Sequence, residues 1–408
     1  MHRNSITTLL MTVLASLLVM ACTSEQQTVS TILIDQDYLD QVRERINNGD
    51  TTLQPAYYKL IKDAEKALQE GPYTVTDKTR VAPSGDRHDY ASYSRYWWPD
   101  PDKPDGLPYI RLDGQTNKAS QSPDESDRPR IGAVGMHTET LGLAYYLTGN
   151  EAYAKKAAEL LRVWFLDEQT RMNPNLNHAQ CRPGHNDGSK SGVLDGRLMI
   201  RALDAGLLIA KSSALSEAEI RGLQSWASEY FHWLTTSELA LQEAQTNNNH
   251  GSYYDLQVLY FALYCGKYEA AKSIAQQSIK NRVYTQIRPD GSMPEELART
   301  RPLFYSIYNA HAMSLIATLA EKVDVDIWEA DNPDSRLRAG IDHIAPYVDT
   351  TKVWPVPSIK EANRMALLPI LQMAHRAYGD EKYQDLLAKL PAEELAHQRN
   401  NIAVPLMD

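Results

Sequence analysis

Apolar residues recur every three to four positions over much of this chain, the spacing of amphipathic helices. The clearest run is 152–164, where Tyr153, Ala157, Leu160, Leu161 and Trp164 share one face. Segments 193–210, 217–234, 253–264, 270–283, 305–322 and 359–378 carry the same period and predict further helices. No run of strict alternation predicts a large sheet. One pattern occurs three times: Ala144-Tyr145-Tyr146-Leu147-Thr148-Gly149, Ala262-Leu263-Tyr264-Cys265-Gly266 and Ala374-His375-Arg376-Ala377-Tyr378-Gly379. Each reads as a helix end with aromatic residues, a glycine cap supplying the left-handed turn, and a new amphipathic helix. The repeat exceeds one hundred residues, far from the period of a tetratricopeptide-like solenoid. Recurrent helical hairpins over this length predict an all-α fold, an α/α toroid: an incomplete barrel of antiparallel helix pairs around a central cleft. No linker rich in Pro, Gly or Ser divides 36–408, which is expected to be one domain.

The first residues follow another rule. A short basic start, Met1-His2-Arg3-Asn4, precedes an apolar run over 9–20 broken only by Thr12 and Ser16. That is too short to span a membrane as a mature helix and reads as the core of a signal peptide, 1–21. Val19-Met20-Ala21-Cys22 resembles a bacterial lipobox, so Cys22 is expected to carry a lipid anchor, followed by a polar tether over 22–35. The expected location is the bacterial envelope, periplasmic or cell-surface. Cys181 and Cys265 remain, and their spacing requires no disulfide.

Two stretches interrupt the helices, and both are rich in polar and aromatic side chains. The first, 81–114, contains His88-Asp89-Tyr90 and Tyr96-Trp97-Trp98-Pro99. Long irregular loops are usually functional or disordered, and this aromatic content argues against disorder. Flat rings beside Arg and Asp suit stacking on sugars, although Trp97 and Trp98 could equally pin the loop to the helices. The second, 172–185, contains His178, Gln180, Cys181, Arg182 and His185. His178, Cys181 and His185 could ligate a metal by spacing, but no HExxH or paired CxxC accompanies them. Substrate contacts from Gln180, with His178 or Arg182, are the better expectation, with no metal and no cofactor.

Composition narrows the partners. At 43% hydrophobic and 23% charged the chain is ordinary globular material, and a net charge of −10 argues against nucleic acid. Any acidic substrate must therefore meet a local basic cleft, for which Arg299, Arg301 and Arg182 are candidates, with Arg87 or Arg111.

The chemistry concentrates in two motifs about fifty residues apart: Thr246-Asn247-Asn248-Asn249-His250-Gly251, and Glu296-Leu297-Ala298-Arg299 followed by Tyr305. A buried Asn run is costly unless its amides are bonded. An amide, an imidazole, a guanidinium and a phenol together can remove a proton beside a carboxylate and expel the neighbouring oxygen. Tyr is abundant, at 23 residues, so Tyr305 stands out only through its company. His137, read as opening a helix, could face the cleft.

These segments together resemble the alginate lyase superfamily, most closely polysaccharide lyase family 38 and more distantly families 5 and 17. The likeness spans roughly 53–378 and rests on the Tyr96-Trp97-Trp98-Pro99 loop, the 172–180 stretch, Asn249-His250 and Arg299 with Tyr305. It implies a uronate-polymer lyase acting by β-elimination, with Asn249 and His250 on the family's Asn-His pair, Tyr305 on its Tyr and Arg299 near its cleft Arg. The candidate substrate contacts beside these are Gln180, His88, Tyr90, Trp97, Trp98, His137, His178 and Arg301. Arg299 to Tyr305 is six residues where family 5 uses seven, so Arg301 competes for the guanidinium role and Tyr308 for the phenol. Ending near residue 408, the chain is expected to lack the β-domain of family 17.

In such a reaction, Asn249 with a cation from Arg299 or His250 would offset the uronate carboxylate and stabilise the forming enolate. Tyr305, its pKa lowered by a nearby cation, would take H5 and return a proton to O4. One residue serves both steps only where H5 and O4 share a face, as in β-mannuronate and β-glucuronate but not α-guluronate. The expected substrate is therefore mannuronate-rich alginate or glucuronan. Two other classes compete: a glycoside hydrolase using two of Asp86, Asp89, Asp195 and Glu296, and a non-catalytic carbohydrate-binding lipoprotein using the aromatic loop.

Overall fold

The computed structural model describes residues 30–330 and 335–407. Cys22, the signal-peptide reading and most of the expected tether lie outside them. The described chain is mostly helical: α1 Gln36–Asn47, α2 Gln54–Ala67, α3 Arg128–Thr148, α4 Glu151–Leu161, α5 Arg197–Leu208, α6 Glu217–Thr236, α7 Glu238–Ala244, α8 Asn249–Tyr264, α9 Tyr268–Ser278, α10 Pro294–Leu297, α11 Pro302–Ala320, α12 Arg336–Ile344, α13 Leu368–Tyr378, α14 Lys382–Leu387 and α15 Ala392–Ala396. Successive helices pack as neighbours: α2 and α4 against α3, α3 against α5, α6 and α9 against α8, and α12 and α13 against α11.

The glycine-capped turns form as the pattern requires. Gly149, Gly266 and Gly379 all adopt φ between 60° and 68°, open to glycine at no steric cost. Asn150 then caps α4 through its side chain, and Ser216 with Glu219 forms a capping box on α6.

Three expected boundaries move. The predicted helix over 359–378 begins only at Leu368, because Pro369 lacks an amide hydrogen and is tolerated only in a first turn. His137 lies mid-helix, since α3 starts at Arg128 with a proline in its first turn. The residues expected to end the polar tether are docked. Leu33 and Ile34 are buried, and the amides of Ile32, Leu33 and Ile34 all donate to the Asp204 carboxylate.

Helices α8 and α11 lie against each other at the centre and are buried on nearly all sides. Every residue of α8 except His250 is buried, and every residue of α11 except Phe304 and Tyr308. A helix apolar all round belongs inside a core, so polar groups at the N-terminal ends of this pair need a reason to be there.

The two irregular stretches meet. Strand β1, Ala91–Tyr93, pairs in parallel with β4, His178–Cys181, with a bulge in the register. Strands β2, Trp97–Trp98, and β3, Ile110–Arg111, form an antiparallel pair with Trp97 opposite Arg111. This small β layer stands beside the N-terminal ends of α8 and α11 and walls one cavity with them.

Candidate active site

The cavity has a volume of about 750 Å³ and receives side chains from segments that are far apart in the chain. Arg95, Tyr96, Trp97, Arg111 and Asp113 come from the first irregular stretch, Gln180 and Arg182 from the second, and Asn249, His250, Arg299, Tyr305 and Tyr308 from the helical side.

The Asn run divides its work. Asn248 caps α8, its side chain accepting the His250 amide at 3.0 Å. Asn249 is 1% exposed, and its side-chain nitrogen lies 3.0 and 2.9 Å from the two oxygens of Glu296. The Asn249 backbone amide donates to Glu296 at 2.6 Å. Asn247 is exposed. Gly251 follows because nothing larger fits: a Cβ there would meet the Thr246 carbonyl at 2.1 Å and the Arg282 guanidinium at 2.7 Å. His250 Nδ1 is 2.5 Å from the buried Glu243 carboxylate, which leaves Nε2 as the nitrogen able to reach a ligand.

Tyr305 projects from the first turn of α11 and is 5% exposed. Its hydroxyl donates to the Tyr96 hydroxyl at 2.7 Å. The Arg299 guanidinium lies over the Tyr305 ring, 3.7 Å from its centre. Burial raises the Tyr305 pKa well above the ordinary tyrosine value; Arg299 pulls it back only in part, and Tyr96 raises it further. The expectation of a cation-lowered phenol therefore holds for the direction of Arg299's effect and fails for the net shift. Arg299 is itself committed, donating to Asp113 at 2.7 and 3.2 Å. Burial would raise the Asp113 carboxyl, but the bonds from Arg299, Arg111 and Thr300 hold it well below the usual range.

The rivals separate by position. Arg301 precedes the first turn of α11 with its guanidinium 4.1 Å from the Phe304 ring centre, and it is not on the cavity wall. Two residues of turn aim neighbouring arginines differently, so Arg299 faces the cavity. Tyr308, one helical turn beyond Tyr305, lines the cavity but packs against Tyr253, with ring centres 4.4 Å apart.

Of the expected substrate contacts, Gln180 and Trp97 lie on the wall. Gln180 has φ 48, a conformation unusual for a residue with a side chain. Its backbone amide donates to Ser92 at 2.8 Å and its side chain to Asp195 at 3.0 Å. Trp97 faces inward with Arg182 over its ring at 4.8 Å. Trp98, the next residue of the strand, points to the opposite face and donates its indole to the Gln115 carbonyl at 3.0 Å.

His88, Tyr90, Trp98, His137, His178 and Arg301 do not line the cavity. Tyr90 is buried and donates to Asp195 at 3.0 Å, which also holds Gln180, so it supports the wall from behind. His88 Nδ1 is 2.7 Å from the Arg171 carbonyl, and His178 lies 3.7 Å from Asp89. His137 stacks on Tyr73, and burial lowers its pKa. His178, Cys181 and His185 do not converge: Cys181 accepts from Arg80 at 2.8 Å, and His185 meets the Trp97 ring. Among the described residues no group of three or more His, Cys, Asp or Glu could hold a metal ion. Cys181 and Cys265 are free thiols.

Seven cationic side chains reach the wall, Arg95, Arg111, Arg128, Lys190, Arg182, Arg197 and Arg299, against the three carboxylates of Asp113, Glu243 and Glu295. The basic cleft exists despite the net charge of −10, but with a different membership: Arg301 and Arg87 are outside it. Arg87 instead donates to the Thr76 and Lys78 carbonyls. Tyr96, Glu243, Arg95, Arg128, Lys190 and Arg197 were not singled out from the sequence. Tyr96 alone had a signal, its place in the aromatic loop.

A model of the alginate lyase family matches residues 74–354. The crystal structure of an alginate lyase from Bacteroides ovatus superimposes with a TM-score of 0.86 at 38% identity, covering 91% of this chain and 98% of that one. Alginate lyase A1-III from Sphingomonas species A1 gives 0.52 at 16% identity, covering 86% and 89%. A variant of alginate lyase A1-III complexed with a tetrasaccharide gives 0.53 at 15%, covering 88% and 91%. Those two likenesses concern the fold alone. No curated protein matches. A family match over most of the chain and a 38%-identical structure spanning nearly all of it place this protein in the alginate lyase family, as a polysaccharide lyase.

Proposed function

We propose that the protein cleaves 1,4-linked mannuronate-rich alginate or glucuronan by syn β-elimination, leaving a C4=C5 unsaturated uronate end. The observation that carries this reading is the Tyr305 hydroxyl, facing a cavity with seven cationic side chains and flanked by Arg299. A polyuronate is held by those cations against an acidic protein. Asn249, His250 and Arg299 offset the carboxylate of the reacting sugar, and the H5 proton becomes removable as charge moves into that group. The Tyr305 phenolate takes H5, and the phenol so formed gives that proton to the departing O4, so the residue returns to its starting state over the cycle. Glu243 orients His250 from behind.

The same reading includes an α/α toroid, kinship closest to polysaccharide lyase family 38, and lipid attachment through Cys22 at the bacterial envelope. In support of an acidic polysaccharide, the 38%-identical structure is that of an alginate lyase. The hydrolase alternative is disfavoured because Asp86, Asp89, Asp195 and Glu296 all lie off the cavity wall. Of the three carboxylates that reach it, Asp113 and Glu243 are tied to Arg299 and His250, which leaves Glu295 without the second free carboxylate that an acid–base pair needs.

The test is to incubate the enzyme with pure polymannuronate, glucuronan, polyguluronate and a glycosaminoglycan, following ultraviolet absorbance of the conjugated double bond and reducing ends together. Both signals are expected on polymannuronate or glucuronan, and much more slowly on polyguluronate. Reducing ends without absorbance would mean hydrolysis. Equal or faster cleavage of polyguluronate would transfer the base role to His250.

A further inference from the structure

The carboxyl group of Glu296 has no exposure, stands at the N-terminus of α8, and accepts its side-chain hydrogen bonds from Asn249. Both of its oxygens lie within 3.0 Å of the same Asn249 side-chain nitrogen, and one also accepts the Asn249 backbone amide at 2.6 Å. With the amide in that orientation, the side-chain oxygen is turned away from Glu296, on a residue that lines the cavity. That is the wrong polarity, since an acceptor there repels the carboxylate of a bound uronate. The heavy-atom shape of an Asn amide is the same after a 180° flip. The flipped amide turns its N–H donors to the cavity and its oxygen to Glu296, which is compatible only with a carboxyl group that carries a proton to donate.

We propose that Glu296 works as a neutral carboxylic acid, a positioning residue that donates to the Asn249 oxygen and so fixes the amide with its donors facing the substrate. The proposal rests on the elimination reading above, which assigns Asn249 to the uronate carboxylate. The charged groups facing Glu296 are Arg299 from the turn after α10 and His250 from α8, with Glu243 of α7 behind the imidazole. Neither Arg299 nor His250 forms an ion pair with it: Arg299 is bonded to Asp113 and His250 to Glu243. A fully buried carboxylate without a paired cation is costly, and taking a proton is the usual escape. The positive end of α8 and the Asn249 bonds favour the anion, but burial outweighs them and raises the Glu296 pKa.

Three variants decide it. Glu296→Gln is always neutral, can accept the Asn249 backbone amide and can donate to its side-chain oxygen; its kcat on polymannuronate or glucuronan is expected within about threefold of wild type. Glu296→Asp withdraws the carboxyl by one methylene and should lose on the order of 100-fold in kcat, as misplaced contacts do. In an Asn249→Ala background, neither substitution should reduce kcat further, because the amide they position is gone. Independently of turnover, the infrared difference spectrum between wild type and Glu296→Gln should show the C=O stretch of a protonated carboxyl at neutral pH. A Glu296→Gln protein that melts like wild type yet loses as much activity as Glu296→Asp overturns the proposal, as does a carboxylate band in the difference spectrum. Wild-type enzyme that cleaves no polyuronate by elimination would instead defeat the underlying reading, and the infrared result would still report on Glu296.

Discussion

The guanidinium of Arg299 lies 3.7 Å from the centre of the Tyr305 ring while donating two hydrogen bonds to Asp113. One cation thus leans on the phenol and is anchored by a carboxylate from a loop 186 residues earlier. The charge available to a ligand at this point is partly spent inside the protein, so attraction of the proposed polyuronate falls to the wider set of cavity arginines.

In the proposed elimination, Tyr305→Phe removes the oxygen that would handle both protons while leaving the ring under Arg299. We expect kcat to fall by about 10²–10⁴-fold, the usual worth of a general acid–base group, with oligosaccharide binding by calorimetry close to wild type. Tyr308→Phe should stay close to wild type, and the opposite pattern would move the role to Tyr308.

Arg299 sets the pH at which Tyr305 can act. Burial raises the phenol, and Arg299 lowers it, so activity should climb with pH as the phenolate becomes accessible. Arg299→Gln removes the lowering influence and should shift the rising limb of the kcat profile to higher pH. A profile that stays in place would separate Arg299 from the titrating group.

Asp113 provides a stability test with a definite sign. Its folded pKa is depressed by Arg299, Arg111 and Thr300 against the opposing effect of burial. The stabilisation it contributes is full above the ordinary carboxylate pKa of about 4 and is lost as pH falls toward the depressed value. Melting temperature measured from neutral to acid pH should fall less steeply in Asp113→Asn than in wild type. At neutral pH Asp113→Ala should cost about 1.5–3 kcal/mol, the range for hydrogen bonds to charged groups.

Salt should act on capture more than on chemistry. On the proposed reading, seven cationic side chains on the wall attract a polyuronate over distances that about 0.1–0.15 M salt screens, about 8–10 Å. KM should rise with ionic strength while kcat changes little, and Arg182→Ala should flatten that dependence. Activity indifferent to salt would argue against a polyanionic substrate.

What the chain determined by itself is what short-range physics decides. The 3.6-residue period predicted α4, α6 and most of α8, α9 and α11, because burying one helical face depends on residues three and four apart. Glycine caps at 149, 266 and 379 were legible because only that residue accepts their backbone angles freely. Asn249, His250, Arg299 and Tyr305 could be picked out as two compact motifs, and all four line the cavity. The tertiary structure decided which companions they have. Tyr96 meets Tyr305 across 209 residues, and Asp113 reaches Arg299 across 186. Tyr90 serves Asp195 rather than a ligand, and Trp98 turns outward while Trp97 turns in. No periodicity encodes such pairings, since they depend on where loops of irregular backbone come to rest against α8 and α11. The same holds for charge: composition reports −10 for the whole chain, and only folding gathers seven cations around one cavity while two of the three acids that enter it, Asp113 and Glu243, are tied to Arg299 and His250.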